Sequence, residues 1–191
     1  PKAHCMAMQG LVFDFDGLIL DTETPLFKTY KMLFAEYGYD LTLQEWSQVI
    51  GTGHSVYDPL AHLVQVAGDH HDRSTFARRI DQEVERLLNS QPVMQGVVAF
   101  IEQAETRHIP MAVCSSSSYA WVQGHLQRIK LLHHFRYIIT IDDVAAPKPD
   151  PQLYCLAASR MGFPPKSLVA FEDSLNGVMA AKAAGLYCIA I

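Results

Sequence analysis

Two aspartates stand two residues apart at the end of an apolar run, Gly10-Leu11-Val12-Phe13-Asp14-Phe15-Asp16-Gly17, and this spacing is the first sign of chemistry in the chain. A short apolar run that stops at acids and a glycine reads as a buried strand delivering those acids to a sheet edge. Side chains two apart on a strand point the same way, so Asp14 and Asp16 can converge, and Gly17 lets the chain turn sharply behind them. Such a pair suits a cation and a phosphate. Taken alone, the same pattern also describes a strand followed by a turn or helix-capping aspartate, so the remaining polar clusters decide between the two.

Three such clusters follow: Ser115 to Ser118, Lys148 within Pro147-Lys148-Pro149-Asp150-Pro151, and Glu172-Asp173. If Asp14, Asp16, Glu172 and Asp173 gather, each close pair repels by about 4 kcal/mol at an effective surface dielectric, and a cation must relieve it. Hard oxygen donors with no neighbouring histidine or cysteine favour magnesium, which shares its coordination with waters and substrate phosphate. Lys148 adds a point charge, and a serine hydroxyl can donate to a phosphate oxygen. The set offers a carboxylate nucleophile, a neighbouring acid or base, and cationic stabilisation, which fits phosphoryl transfer through an aspartyl phosphate. No glycine-rich loop ending in Lys-Ser/Thr is present, which disfavours a nucleotide-cradling kinase.

The elements that must position these residues follow from periodicity. Asp21-Thr22-Glu23-Thr24-Pro25 supplies a helix start, Leu26, Phe27, Tyr30, Leu33, Phe34 and Tyr37 give one apolar helical face, and Gly38 is placed to end it. Thr42-Leu43-Gln44-Glu45 has capping-box spacing and predicts a helix through Ile50. Further helices are expected over 55–67 and 74–88, with Asn89-Ser90-Gln91-Pro92 as a return linker. From there helix and strand alternate: a helix near 96–108, a strand over 111–114, a helix carrying Trp121, Val122, His125, Leu126 and Ile129, and a strand over 137–141. A helix to Met161, a strand over 167–171, a helix to Ala184 and a strand over 187–191 complete the pattern. This predicts an α/β fold, a doubly wound, Rossmann-like parallel sheet from 1–20 and 91–191, with a helical cap domain, 21–90, inserted after the first strand. Ligands of such sheets sit at the carboxyl ends of the strands, where all four polar clusters fall.

Composition narrows the partners. The 191 residues are 49% hydrophobic and 18% charged, ordinary for a globular chain, and a net charge of -5 leaves no basic footprint for nucleic acid. No apolar run has the length of a membrane span, and Pro1 to Met8 lacks a signal-peptide order, so a cytoplasmic protein without membrane partners is expected. Cys114, Cys155 and Cys188 lie in apolar segments without Cys-x-x-Cys spacing and read as structural thiols; Cys5 says little.

Asp14-Phe15-Asp16-Gly17 with Asp21-Thr22-Glu23, the serine run after a strand, Lys148-Pro149-Asp150-Pro151 and Phe171-Glu172-Asp173-Ser174, in this order, resemble the haloacid dehalogenase superfamily. The helical insertion is similar to that of its capped phosphatase and beta-phosphoglucomutase branch. The resemblance implies Asp14 as nucleophile and Asp16 as the acid, then base. It implies that Ser115 binds phosphate, with Ser116 able to share it, and that Lys148 holds both Asp14 and the phosphate. Magnesium would be held by Asp14, Glu172, Asp173 and the backbone carbonyl of Asp16. Family members run on for about another strand and helix beyond a point such as Ile191, and Gln152 stands where an aspartate is often found.

His54, in Gly51-Thr52-Gly53-His54-Ser55, lies in a turn that in this branch tends to face the substrate, although a lone histidine in a polar turn is usually solvated. His70-His71 between Asp69 and Asp72 reads as surface rather than as a metal site, and Tyr30, Phe34 and Trp46 as the core of the inserted domain. The function expected is a magnesium-dependent phosphatase of a small phosphorylated metabolite, a sugar phosphate or nucleotide monophosphate, acting as a monomer or else a dimer. A phosphosugar mutase is the alternative on the same site, although mutases of this branch tend to carry an arginine where this chain has His54-Ser55. A phospho-aspartate receiver or an inert binding module is the alternative of another class. The insertion of about seventy residues and the paired acids argue against it.

Overall fold

The computed structural model describes residues 8–49, 57–68 and 72–191. The expectations for Cys5, His54, His70 and His71 lie outside the described residues. By its internal contacts the chain divides into two units, Pro1–Leu20 with Pro92–Ile191, and Asp21–Gln91.

The first unit is built on a five-stranded parallel sheet. Its strands are β1 (Gly10–Phe13), β2 (Met111–Cys114), β3 (Tyr137–Ile139), β4 (Leu168–Glu172) and β5 (Tyr187–Ala190), in the order β3-β2-β1-β4-β5. β1 and β2 are buried at every residue, which explains why they read as unbroken apolar runs rather than alternating ones. Phe13 is in register with Val113 on one side and Phe171 on the other, so the ends of β1, β2 and β4 finish level. The strand order reverses between β1 and β4. That reversal opens a crevice at the carboxyl ends of those two strands.

Between the strands run α5 (Val97–Thr106), α6 (Tyr119–Arg128), α7 (Gln152–Met161) and α8 (Leu175–Ala183). Val12, Ala112, Ile139 and Ala170 pack with Leu153, Tyr154 and Ala157 of α7 and with Ala180 and Ala181 of α8. A second cluster is aromatic: Phe13 stacks on Phe171 at 5.1 Å between ring centroids, with Phe100 and Phe135 edge-on to Phe13 at 6.0 and 5.7 Å. Phe13, Phe135 and Phe171 are buried, each contributing about 1.5–3 kcal/mol, whereas Phe100 is partly open to solvent.

The second unit is helical, with α1 (Glu23–Ala35), α2 (Leu43–Trp46), α3 (Pro59–Ala67) and α4 (Arg73–Asn89). Tyr30, Leu33 and Phe34 of α1 are buried, as are Phe76, Ile80, Val84 and Leu88 of α4. Trp46 lies 5.3 Å from Tyr30 and 5.5 Å from Phe27, and Tyr30, Phe34 and Trp46 are all core residues, as expected. Among the described residues no helix is long and apolar enough to cross a membrane.

Several boundaries differ from expectation for local reasons. The Thr42 capping box forms, its side chain receiving the Glu45 N–H while the Glu45 carboxylate receives the Thr42 N–H at 2.9 Å, yet α2 stops at Trp46 rather than reaching Ile50. The third helix begins at Pro59, because Asp58 accepts the N–H groups of Leu60 and Ala61, both at 3.0 Å. β3 ends at Ile139, because Asp143 captures the Thr140 N–H at 3.0 Å and draws the chain into a 3-10 turn over Ile141–Asp143. Cys155, expected among apolar neighbours, is exposed; Cys114 is buried.

Candidate active site

Asp14 is the first residue past β1 and still belongs to the sheet, its N–H donating to Phe171 O at 3.0 Å. The chain then turns at Gly17, whose φ of +80° is a left-handed value costly for other residues. A Cβ at Gly17 would lie 1.9 Å from Asp173 Oδ2, so the glycine also makes room for that carboxylate.

Lys148 binds the two sides of the crevice together. Its Nζ donates to Asp14 Oδ1 at 2.7 Å, to Glu172 Oε1 at 2.6 Å and to Cys114 O at 2.9 Å. Those three bonds use all three donors of an ammonium group. Lys148 is 7% exposed and Glu172 0%, so these charges are tied together out of water. Glu172 Oε1 also receives the Tyr154 hydroxyl, and Oε2 the Ser174 hydroxyl at 3.2 Å. A Cβ at Gly177, in the first turn of α8, would fall 1.9 Å from Glu172 Oε2. The backbone of that helix can approach the carboxylate only because residue 177 has no side chain.

One carboxylate oxygen from each of Asp14, Glu172 and Asp173 lies within 4.8 Å of the others, two of the residues being buried and Asp173 exposed. Burial pushes the Asp14 carboxyl up to about 8, with Lys148 opposing and Glu172 and Asp16 adding to the shift. Burial and Glu172 likewise raise Asp173. Burial opposes the charge on Lys148, but Asp14 and Glu172 outweigh it and hold its pKa above the usual lysine range. Three acids against one ammonium leave excess negative charge, and the convergent donors are all hard oxygens. A divalent cation fits both facts.

The Asp16 carboxylate belongs to a different group. Its Oδ1 receives the Trp121 indole N–H at 2.9 Å, and its Oδ2 the hydroxyls of Ser117 at 2.7 Å and Ser115 at 3.1 Å. Ser115 is 0% exposed, and its Oγ also accepts the Ser117 N–H at 2.9 Å. Ser116 is exposed, and its Oγ accepts the Lys148 N–H at 3.2 Å.

Asp14, Asp16, Ser115, Ser116, Lys148, Glu172 and Asp173 therefore meet at one end of the sheet. Their detailed arrangement departs from expectation in three respects. The Asp16 carboxylate is engaged by the serine loop and Trp121 and is not among the converging oxygens of the other three acids. Lys148 would have to release one of its three partners to reach a phosphate, and Ser115 would have to give up Asp16. Four participants were not singled out from sequence: Ser117, Trp121, Tyr154 and Gly177. Trp121 and Tyr154 read as ordinary apolar helix positions, and only their polar tips distinguish them.

The sequence pattern of the haloacid dehalogenase-like hydrolases matches residues 11–191. The Bacillus subtilis protein YhcW is 40% identical over 186 residues, spanning 96% of this chain and 83% of that protein. A phosphorylated carbohydrates phosphatase of Thermotoga maritima is 30% identical over 183 residues, spanning 94% of this chain and 82% of that one. A solved Thermotoga maritima structure, presented as a candidate beta-phosphoglucomutase, superposes with a TM-score of 0.81 at 29% identity, covering 94% of this chain and 82% of that one. With its sheet, its motif order and these likenesses in agreement, the chain belongs to the haloacid dehalogenase-like hydrolase family.

Proposed function

We propose that this chain is a magnesium-dependent phosphatase acting on a small phosphorylated metabolite, a sugar phosphate ahead of a nucleotide monophosphate, through an aspartyl-phosphate intermediate. The observation that carries the reading is the Lys148 tripod, which ties Asp14 to Glu172 beside Asp173 at the point where the strand order reverses. Sugar phosphates come first because relatives are named as phosphatases of phosphorylated carbohydrates in Thermotoga maritima and of fructose-1-phosphate in Escherichia coli.

Asp14, Glu172 and Asp173, with the Asp16 backbone carbonyl, would hold the magnesium ion. When bound, the ion neutralises the acids and offsets charge on the phosphoryl oxygens. Asp14 Oδ1 is engaged by Lys148, so Oδ2 attacks phosphorus. The bond from phosphorus to the ester oxygen breaks, its electron pair stays with that oxygen, and Asp16 donates the proton that makes it an alcohol. Water then attacks the aspartyl phosphate, passing a proton to Asp16, and the electron pair of the broken bond returns to the Asp14 carboxylate. Asp16 thereby recovers the proton that it gave. Ser115 and Ser116 bind the phosphoryl oxygens, Ser116 from an exposed position and Ser115 on release from Asp16. The helical segment 21–90 acts as a cap that selects the ester, with His54 as a candidate contact.

The test is phosphate release across a panel of sugar phosphates and nucleotide monophosphates, with magnesium and with chelator. Release that depends on magnesium and disappears in Asp14→Asn supports the reading; release retained in that variant sinks it. The likeness to the Thermotoga maritima structure favours a phosphosugar mutase as the second reading. Isomerisation of a hexose 1-phosphate without net phosphate loss would put that reading first.

A further inference from the structure

Resting on the magnesium site of the phosphatase reading, we propose that Tyr154 is a positioning residue that makes Glu172 a one-oxygen ligand and thereby sets the site against calcium. A carboxylate has two oxygens with about two lone-pair directions each. On Glu172 Oε1 both directions are used: the Lys148 ammonium donates to it at 2.6 Å, and the Tyr154 hydroxyl donates to it as well. Oε2 receives the Ser174 hydroxyl at 3.2 Å, a longer bond from a neutral donor. Oε2 is therefore the oxygen that a cation takes at least cost. Lys148 cannot guard Oε1 alone, because it must release a partner to reach a phosphate. Tyr154 has no such second duty, and its bond keeps Oε1 engaged when Lys148 turns away.

Both sides of the Glu172 carboxylate are fixed by packing. Tyr154 is 0% exposed and belongs to the core cluster formed by α7 with Val12, Ala112 and Ala170 of the sheet. Its ring also lies 5.3 Å from Lys148 Nζ, so the core that holds the ring places the hydroxyl. From the other side comes the backbone of α8, close enough that a Cβ at Gly177 would stand 1.9 Å from Oε2 and 2.2 Å from Oε1. The carboxylate has little room to swing. Calcium gathers six to eight oxygens and commonly takes both from one carboxylate, whereas magnesium keeps a tight octahedron filled largely by waters and single oxygens. To engage both oxygens of Glu172, calcium would have to displace Tyr154 or Lys148 from Oε1. Magnesium needs only Oε2.

Tyr154→Phe keeps the ring in the core and removes the hydroxyl. Isothermal titration of chelator-stripped protein with magnesium chloride, and separately with calcium chloride, gives both affinities in wild type and variant without any turnover. The expected result is a calcium-to-magnesium affinity ratio raised by about 10-fold in Tyr154→Phe, at the lower end of what removing a partner of a metal ligand does. A site that has merely loosened would weaken both ions alike, so a ratio that is unchanged or lowered overturns the inference. Should Tyr154→Phe fail to fold, the wild type decides: calcium bound no more tightly than magnesium supports the inference, and calcium bound more tightly overturns it. Failure of the underlying reading has a different signature. Magnesium that does not bind the wild type, or binds Asp173→Asn equally well, removes the metal site and this inference with it, whereas magnesium binding weakened in Asp173→Asn with an unchanged ratio in Tyr154→Phe overturns only the inference.

Discussion

At the scale of single residues, Asp14 and Asp16 are neighbours with opposite surroundings. Asp14 sits with Lys148, Glu172 and Asp173, while Asp16 is enclosed by Trp121, Ser115 and Ser117. On the proposed mechanism the two fail differently when neutralised. Asp14→Asn should form no phosphoenzyme, whereas Asp16→Asn should form and hydrolyse it slowly, by about 100-fold or more, the usual scale of general acid-base catalysis. Rapid-quench trapping with labelled substrate checks this, and equal trapping in both variants would refute the division. The burial of Asp14 also has a consequence for stability. Its folded pKa is raised from the ordinary carboxylate value of 3.8 to about 8, so its contribution to stability is greatest below about pH 4 and is lost as pH rises through about 8. In chelator, Asp14→Asn should therefore gain on the wild type in denaturant midpoint as pH is raised from 4 to 9. A constant difference across that range would show that the burial of this charge is not what sets the trend.

Elements matter here for where their backbones pass. The first turn of α8 runs against the Glu172 carboxylate, and Gly177 is the reason it can. Gly177→Ala would place a methyl group within 1.9–2.2 Å of that carboxylate, and Glu172 is fully buried between Lys148 and Tyr154. The variant should lose both activity and about 1–3 kcal/mol of stability, the usual cost of overpacking. Thermal unfolding together with phosphate release would measure both, and a fully active Gly177→Ala enzyme would show that Glu172 can yield. In the helical unit the element-scale device is Asp58, which accepts two N–H groups at the start of α3 and meets the exposed Arg73 at 2.9 Å. Asp58→Ala should cost about 0.5–2 kcal/mol through lost capping. Arg73→Ala should cost much less, because an exposed ion pair is screened by water. Hydrogen exchange over α3 discriminates the two, since equal losses would credit the ion pair instead of the cap.

For the molecule as a whole, the determining feature is the reversal of strand order between β1 and β4, which brings residues 14, 148 and 172 to one crevice from remote parts of the chain. A cation bound there would stabilise the folded state by mass action, by about 2.7 kcal/mol at a hundredfold excess over its dissociation constant. Magnesium should therefore raise the unfolding midpoint of wild type, with a smaller gain in Asp173→Asn, whose charge is removed at the exposed corner of the acidic triad. Scanning calorimetry with and without magnesium measures this. Equal gains in both proteins would place the cation elsewhere. Membership of a hydrolase family also sets aside the receiver or inert module as an account of this chain.

The parallel sheet, the order of its motifs and the polar residues that gather at its end were legible in the sequence. Each of those rests on local signals: unbroken apolar runs for buried parallel strands, acids and glycine at their ends, and three-to-four-residue periodicity for the helices. Boundaries were less legible: β3 ends where a single carboxylate, Asp143, captures the Thr140 N–H in competition with the regular ladder, and α3 starts only at Pro59, where Asp58 accepts two backbone N–H groups. Tertiary structure alone decided which partner each reactive group took. The Trp121 indole N–H, the Tyr154 hydroxyl and the missing side chain of Gly177 carry no local periodicity, and they acquire meaning only when packing sets them beside Asp16 or Glu172. Hydrogen bonds and van der Waals contacts act over a few ångströms in space, whereas Asp16 and Trp121 are separated by more than a hundred residues of chain.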